Sequence, residues 1–436
     1  MKQLQAACGK NLERHLRKLT VDIGVRLAGS PAETLTTDYL EQEFRKAGAS
    51  TTIETFPVLE RAVQRENLHI RIGEQWHSFP CSLFSNTPGT DGELKEAPLC
   101  FFEAATEYQR QDLNHLRGKA VVHLGCHIES RENYQRLMAA EPAFLLFVDV
   151  RYPGTIPLAD GMFPAYTSAL GAVPTMNVAY MDAWRWKVEG ASAARLVVEG
   201  GMRESTSRNV IAELPGSDPD AGVLFLGGHH DTQANSVGAD DNGVGTVMLL
   251  ELARLLAPLP RQRTIRLIAF GAEEQLSVGS ASYVRRHRPE VESQGRVMFN
   301  MDSFASQLGW NTLVWAGPQE MPAALIPHFQ KHDLYMKLME EIVPYTDQFP
   351  FAAAGVPGVY LGRDNCTAGR FFHHRHDDDM SRVSIPLMTQ FADAIAELIH
   401  FWSKGVGMPF AAEIPDTQAR QVQAFWEDLF GGWSGV

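Results

Sequence analysis

No stretch of this sequence approaches the roughly 20 consecutive apolar residues that a helix needs to span a bilayer, which argues against a transmembrane segment. No Cys-x-x-Cys pair occurs either. The five cysteines, Cys8, Cys81, Cys100, Cys126 and Cys366, are odd in number and widely spaced, so neither a disulfide framework nor a structural zinc site is indicated. An excess of positive charge is also missing. The formal net charge is −13, which disfavours nucleic acid and anionic membrane surfaces as partners. The opening residues, MKQLQAACGKNLERHLRKL, lack the apolar core of a secretory signal, and a cytoplasmic location is the expectation. Repeats and low-complexity segments are absent. The chain has 436 residues, 44% hydrophobic and 21% charged, an ordinary globular composition with length for two or three domains.

Texture divides the chain. Leu12, Leu16 and Leu19 read as a helix, followed by the loop RLAGSP and a second helix over Thr36–Ala47. From about 66 to 204 the pattern changes to short strands and Pro/Gly turns, including Lys119–Leu124, Ala143–Val148 and Val173–Val178, which suggests an inserted β-rich domain. After Arg208 strands alternate with helices: Val223–Leu226, Gly243–Leu256, Thr264–Phe270, Val297–Met301, Thr312–Trp315, Ala323–Leu338 as a helix, Val359–Leu361 and Ile385–Trp402. Such alternation implies an α/β fold with a mixed, mostly parallel sheet covered by helices on both faces. The expected organisation is therefore 1–65 with 205–405 as one discontinuous domain, 66–204 as the insertion, and 406–436 as a C-terminal helical tail. The tail carries Phe425, Trp426, Leu429, Phe430 and Trp433 at helical spacing. It is expected to pack on its own domain, with a homodimer contact as the alternative.

Chemistry concentrates at strand ends. The apolar strand Val223–Leu226 runs into Gly227-Gly228-His229-His230-Asp231. His229 and Asp231, two apart, share a face, and a carboxylate beside a histidine fixes its tautomer and presents the other ring nitrogen to a metal. Asp240-Asp241 follow in a glycine-flanked loop before a helix, where open α/β sheets place their ligands. Thr264–Phe270 leads to Glu273-Glu274, a pair able to supply one metal ligand and one base. Val297–Met301 ends on Asp302, and a dense loop, Phe371-Phe372-His373-His374-Arg375-His376-Asp377-Asp378-Asp379, precedes the last helix. Together these supply His, Asp, Glu, Asp and His, a set that suits two divalent metals about 3.5–4 Å apart.

The motifs GGHHDT, GADDNGVG, AFGAEEQLSVGS, FNMDS, TDQFPFAAAGVPGVYL and FFHHRHDDDM, in this order and with RLAGSP upstream, resemble the zinc aminopeptidase and glutamate-carboxypeptidase family with two co-catalytic metals. The plasma glutamate carboxypeptidase type, with an inserted protease-associated domain, is the nearest likeness. The resemblance covers residues 10–405. It implies a zinc aminopeptidase-like fold and an exopeptidase that cleaves small peptide substrates, an aminopeptidase or dipeptidase before a carboxypeptidase. It also implies His229 as a ligand with Asp231 as its partner, Asp240 as the ligand bridging both metals, Glu273 as general base and Glu274 as a ligand. Asp302 joins His229 and Asp240 on one metal, and a terminal histidine joins Glu274 and Asp240 on the other. The family pattern His-x-x-x-Asp fits His373/Asp377 and His374/Asp378, and the distance to Arg382-Val383 selects His374. Two divalent ions are implied, zinc by resemblance, with manganese or cobalt compatible with oxygen-rich ligands. Leu276-Ser277, Asp379 and Gln348 depart from the family's usual Gly-Leu, Thr and His; the last bears on substrate preference.

Two other classes use the same scaffold. A glutaminyl-cyclase-like acyl transferase needs only one metal, and here every position for a second is filled. A non-catalytic module of the transferrin-receptor kind lacks the base, which Glu273 supplies. Metal analysis separates the three readings as two, one or no ions per chain.

Overall fold

The computed structural model describes the whole chain apart from Met1, Lys2, Cys126, Glu129, residues 367–370, Val406 and Val436. It divides into two compact units. The first comprises Met1–Val58, Ser205–Phe372 and His376–Trp426; the second comprises Leu59–Glu204, His373–Arg375 and the chain from Glu427 onward. Two long strands, Ser50–Ile72 and Ala193–Leu214, carry the chain out of the first unit and back into it. The boundary at Val58 therefore falls inside a strand, where no change of composition marks it.

In the first unit the sheet centres on Val223–His229. It runs parallel to Thr264–Phe270 on one side and to Gly295–Met301 on the other. Gly358–Asp364 extends the parallel set, Trp310–Ala316 is antiparallel to it, and Lys337–Glu340 forms the edge. On the far side Thr264–Phe270 pairs antiparallel with the end of Ala193–Leu214. The central strand is buried at every position, as expected for a parallel strand covered on both faces. Alternation assigns its side chains. Leu224 and Leu226 face a core shared with helices Gly9–Arg17, Val244–Leu256 and Ile385–Lys404. Phe225 faces the other way, 4.9 Å from Phe351 between ring centroids, where Phe270 and Tyr283 complete an aromatic cluster. Fully buried leucines such as Leu249 and Leu252 each contribute about 1.5–3 kcal/mol.

The helix expected over Ala323–Leu338 is shorter than the pattern suggested. It spans Met321–Gln330, and Asp333 takes a left-handed φ of 58°. Lys337–Glu340 instead pairs with Trp310–Ala316, because the sheet edge offers backbone partners that local helical spacing cannot reveal. The tail is not a body of its own. Helix Asp416–Phe430 buries Val422 and Trp426; Trp426 lies against Phe349 and under the Arg285 guanidinium.

In the second unit, strands Lys95–Glu103, Ala120–Leu124, Phe144–Val148 and Thr175–Val178 are successively parallel, and Cys81–Leu83 closes antiparallel on the last. Helices Arg131–Ala139, Pro164–Leu170 and Tyr180–Val188 accompany these strands. Leu68, Val122, Phe144, Leu146 and Trp186 form its core. Cys8, Cys81 and Cys100 are free thiols; Cys126 lies outside the described residues. No helix among the described residues is long and apolar enough to cross a membrane.

One buried cation organises the loops of the first unit. Arg26, from RLAGSP, is fully buried. Its guanidinium donates to the carbonyls of Leu19, Gly24, His230, Val237 and Gly238 at 2.8–3.3 Å. Burial pushes its pKa down to about 10, against the opposing pull of Asp231, Asp378 and Glu274, so it stays charged at neutral pH. Arg26→Met leaves those carbonyls without a donor. It should lower the urea-unfolding stability of the metal-free protein by about 3–5 kcal/mol, as removing one partner of a buried ionic set does; a loss under about 1 kcal/mol would remove Arg26 from this role.

Candidate active site

The site grows from the carboxyl ends of the central parallel strands, the place where α/β sheets bind ligands. His229 ends the central strand opposite Phe270, and Asp302 follows directly on Gly295–Met301. Room for this crowding comes from glycine. A Cβ on Gly245, in the first turn of helix Val244–Leu256, would lie 2.1 Å from the Met301 carbonyl oxygen. Only glycine lets that helix start so close to the strand.

His229 is wholly buried. Its Nδ1 lies 3.2 Å from the Asp231 carbonyl and 3.5 Å from Asp231 Oδ1, so Nε2 points the other way. Nε2 finds no hydrogen-bond partner in the structure. Instead it faces Asp241 Oδ1 at 3.3 Å, Glu273 Oε2 at 3.7 Å and Asp302 Oδ1 at 3.8 Å. Leaving a buried polar atom unsatisfied is costly, and here three carboxylates converge on it. Two overlapping sets of potential ligands result, His229/Glu273/Asp302 and His229/Asp241/Glu274, the atoms of each within 4.8 Å of one another. Burial disfavours a charged His229, yet Glu273, Asp231, Asp241 and Asp302 outweigh it and hold its pKa well above the ordinary value. The site thus stabilises positive charge at Nε2. Imidazole and carboxylate donors around one orphaned nitrogen fit divalent metals.

The carboxylates divide the work. Asp231 reaches past His229: its Oδ1 and Oδ2 accept the backbone N–H groups of Glu273 (3.1 Å) and Glu274 (3.3 Å). One residue therefore orients the histidine and fixes the glutamate pair. Burial pushes Glu273 well above the usual carboxylate range, and the nearby Asp347 and Asp302 charges add to it against the pull of His229. Glu274 is raised likewise by burial and by Asp241.

Asp240 is the expected bridging ligand, and the structure distinguishes it from its neighbour Asp241. Asp240 Oδ1 accepts the Ala305 N–H at 3.0 Å, and Asp241 is the member of the pair that joins the cluster. Adjacent side chains in this tight turn point apart, and the backbone after Gly238 (φ 51°) decides which one faces His229. A Cβ on Gly238 would lie 2.2 Å from the Asp241 carbonyl oxygen, so the turn depends on that glycine. Asn242 secures the far side, donating to the Met301 carbonyl and accepting the Gly245 N–H, both at 2.8 Å.

His374 lies on the His373–Arg375 segment of the second unit. There its carbonyl accepts the Ala159 N–H at 3.1 Å, and its ring stacks on His373 with centroids 3.4 Å apart. Its backbone is left-handed, φ 55°. Sequence reasoning overlooked Arg26, Asp347 and the use made of Asp378. Asp347 is fully buried without a hydrogen bond to either oxygen. Burial, with Asp231 and Asp302 nearby, pushes its pKa up to about 7 against the pull of His229 and Ser280. The only advance signal was an acid flanked by polar residues inside TDQFPF.

The chain is similar to aminopeptidase YwaD of Bacillus subtilis (24% identity, over 95% of this chain and 88% of that protein). It is similarly related to carboxypeptidase Q of Rattus norvegicus (24%, over 91% of this chain and 86% of that protein). Among solved structures it superimposes on a zinc aminopeptidase from Bacillus subtilis with a TM-score of 0.76 at 19% identity, covering 95% of this chain and 99% of that one; this is a likeness of fold. The sequence pattern of Peptidase family M28 matches residues 209–399, the span that holds His229, Asp241, Glu273, Glu274 and Asp302.

Proposed function

We propose that this protein is a two-metal exopeptidase that removes residues from the free amino end of small peptides. The observation that carries the reading is the buried, unpartnered His229 Nε2 facing Asp241, Glu273 and Asp302, with Glu274 in the overlapping ligand set. His229, Asp241 and Asp302 would hold one ion; Asp241 and Glu274 would contribute to the other. For His374 as the remaining ligand, the assignment rests on the family resemblance. Zinc is the proposed ion, following the description of the Bacillus subtilis relative. Divalent ions held there supply Lewis acidity toward the water nucleophile and the scissile carbonyl.

The chain's own residues do the rest. Glu273 accepts the proton of the attacking water at its carboxylate and returns it to the leaving amine. Its raised proton affinity, caused by burial and the adjacent Asp347 and Asp302, suits a base working near neutral pH. Asp231 keeps it aimed through the Glu273 and Glu274 amides.

The charge of the site favours an amino end over a carboxyl end. Asp231, Asp241, Glu273, Glu274, Asp302 and Asp347 all act on one another or on His229. Of the cations that act on these acids, Arg26 spends its guanidinium on five carbonyls, and Arg363, which acts on Asp240, donates to Asn311. A substrate ammonium complements such a surplus, whereas a C-terminal carboxylate is repelled by it. The relationship to carboxypeptidase Q makes the opposite polarity the second arm of the test. Aminoacyl-nitroanilides and free dipeptides should be hydrolysed and N-blocked dipeptides should not; cleavage confined to N-blocked peptides would reverse the assignment.

Site variants separate the roles. Glu273→Gln should keep its full metal content while kcat falls about 100-fold or more, the usual cost of losing a general base; near-normal turnover would exclude this mechanism. Asp241→Asn should fail to retain two ions, whereas Asp240→Asn, whose amide oxygen can still accept the Ala305 N–H, should retain both. Elemental analysis distinguishes them. By the same measurement His374→Ala should lose one ion and nearly all hydrolysis while His373→Ala keeps both; loss of an ion from His373→Ala alone would move the ligand by one residue.

A further inference from the structure

We propose that Asp378 is a positioning residue that presets the Asp241 carboxylate for metal binding by holding the backbone of its loop. This rests on the reading of Asp241 as a metal ligand. Asp378 is 1% exposed. Its Oδ1 accepts the Asp240 N–H at 2.9 Å and its Oδ2 the Asp241 N–H at 3.0 Å, while its carbonyl accepts the Ala239 N–H at 3.2 Å. Three successive amides of the metal-binding loop hang on one residue 137 positions away from Asp241. An ordinary loop aspartate bonds to its own neighbours, as Asp379 does to the Ser381 N–H; Asp378 reaches across to another strand's loop.

The same loop is gripped from the opposite polarity. Arg26 donates to the carbonyls of His230, Val237 and Gly238, so the segment joining His229 to Asp241 has its carbonyls on a buried cation and its amides on a buried anion. A third tie closes a circuit. Asp240 Oδ1 accepts the Ala305 N–H, the Ala305 carbonyl accepts the Ser384 N–H at 2.8 Å, and Gln307 N–H donates to the Arg382 carbonyl at 2.7 Å. The loops carrying Asp241 and Asp302 are thereby pinned to the segment 378–384. Two anionic acceptors are required. In Asp378→Asn one position becomes an N–H₂ donor set against a backbone N–H donor, so at most one of the two amides stays bound.

The test uses full-length protein stripped of metal and titrated with Co²⁺, following the visible d–d absorption, with hydrogen exchange of the peptide covering residues 237–243 measured before metal is added. Asp378→Asn should weaken binding of at least one Co²⁺ by roughly 10-fold or more, the usual range for residues that support metal ligands. It should also speed exchange in that peptide while exchange in the rest of the first unit stays as in the parent protein. Should Asp378→Asn not fold, Asp378→Glu displaces the same two acceptors and is read the same way. Parent-like Co²⁺ affinity and loop exchange would overturn the proposal, and so would weakened binding with uniformly faster exchange, which marks general destabilisation. Asp241→Asn run in parallel keeps the two ideas apart: if it binds both ions normally, the ligand reading of Asp241 fails; if it loses them while Asp378→Asn does not, only the positioning role fails.

Discussion

Carboxylates do not gather in a protein interior without something to balance them, and the catalytic unit is shaped by how it meets that constraint. Like charges 4 Å apart cost about 4 kcal/mol even at an effective dielectric near 20. Around His229 the fold assembles Asp231, Asp240, Asp241, Glu273, Glu274, Asp302, Asp347 and Asp378. Three of them are stabilised by backbone amides: Asp231 by Glu273 and Glu274, Asp240 by Ala305, and Asp378 by Asp240 and Asp241. Another three turn their charge toward His229 Nε2. The first set builds the site, and the second is placed to hold cations.

Strand ends make this division workable. Beyond the last paired residue of a parallel strand the backbone N–H groups no longer have ladder partners, so they can be given to side chains. The loops after Val223–His229, Thr264–Phe270 and Gly295–Met301 use that freedom, each lending amides to an acid from another loop. Among the buried polar atoms left without a hydrogen bond are His229 Nε2 and both carboxylate oxygens of Asp347, which lie where the chemistry is proposed. Arg26 is a long-range cationic support, reaching from the N-terminal segment into loops more than 200 positions away.

The acidic surplus also bears on what the enzyme accepts. Relatives described as an aminopeptidase and as carboxypeptidase Q stand at equal identity to this chain, so likeness alone does not choose between amino and carboxyl ends. The proposed choice of the amino end rests on charge instead: carboxylates crowd around His229, and the Arg26 guanidinium is spent on carbonyls.

Much of this was legible in the sequence. Strand–loop–helix alternation after Arg208 fixed the fold class, because hydrophobic periodicity is local and survives without tertiary context. His229, Glu273, Glu274 and Asp302 stood out because each follows an apolar strand, and strand ends are where such a sheet brings distant residues together. Three features only the tertiary structure decided. The choice between Asp240 and Asp241 depends on the path of a five-residue turn, and adjacent identical side chains carry no mark of direction. The edge strand Lys337–Glu340 formed where helical spacing suggested a longer helix, because pairing with Trp310–Ala316 supplies hydrogen bonds that local pattern does not encode. Arg26 and Asp378 looked like a loop arginine and one of three loop aspartates, and their importance comes from burial against loops far away in the chain. A sequence states which groups are available; which of them lose water, and therefore must find partners, is settled when the chain closes around them.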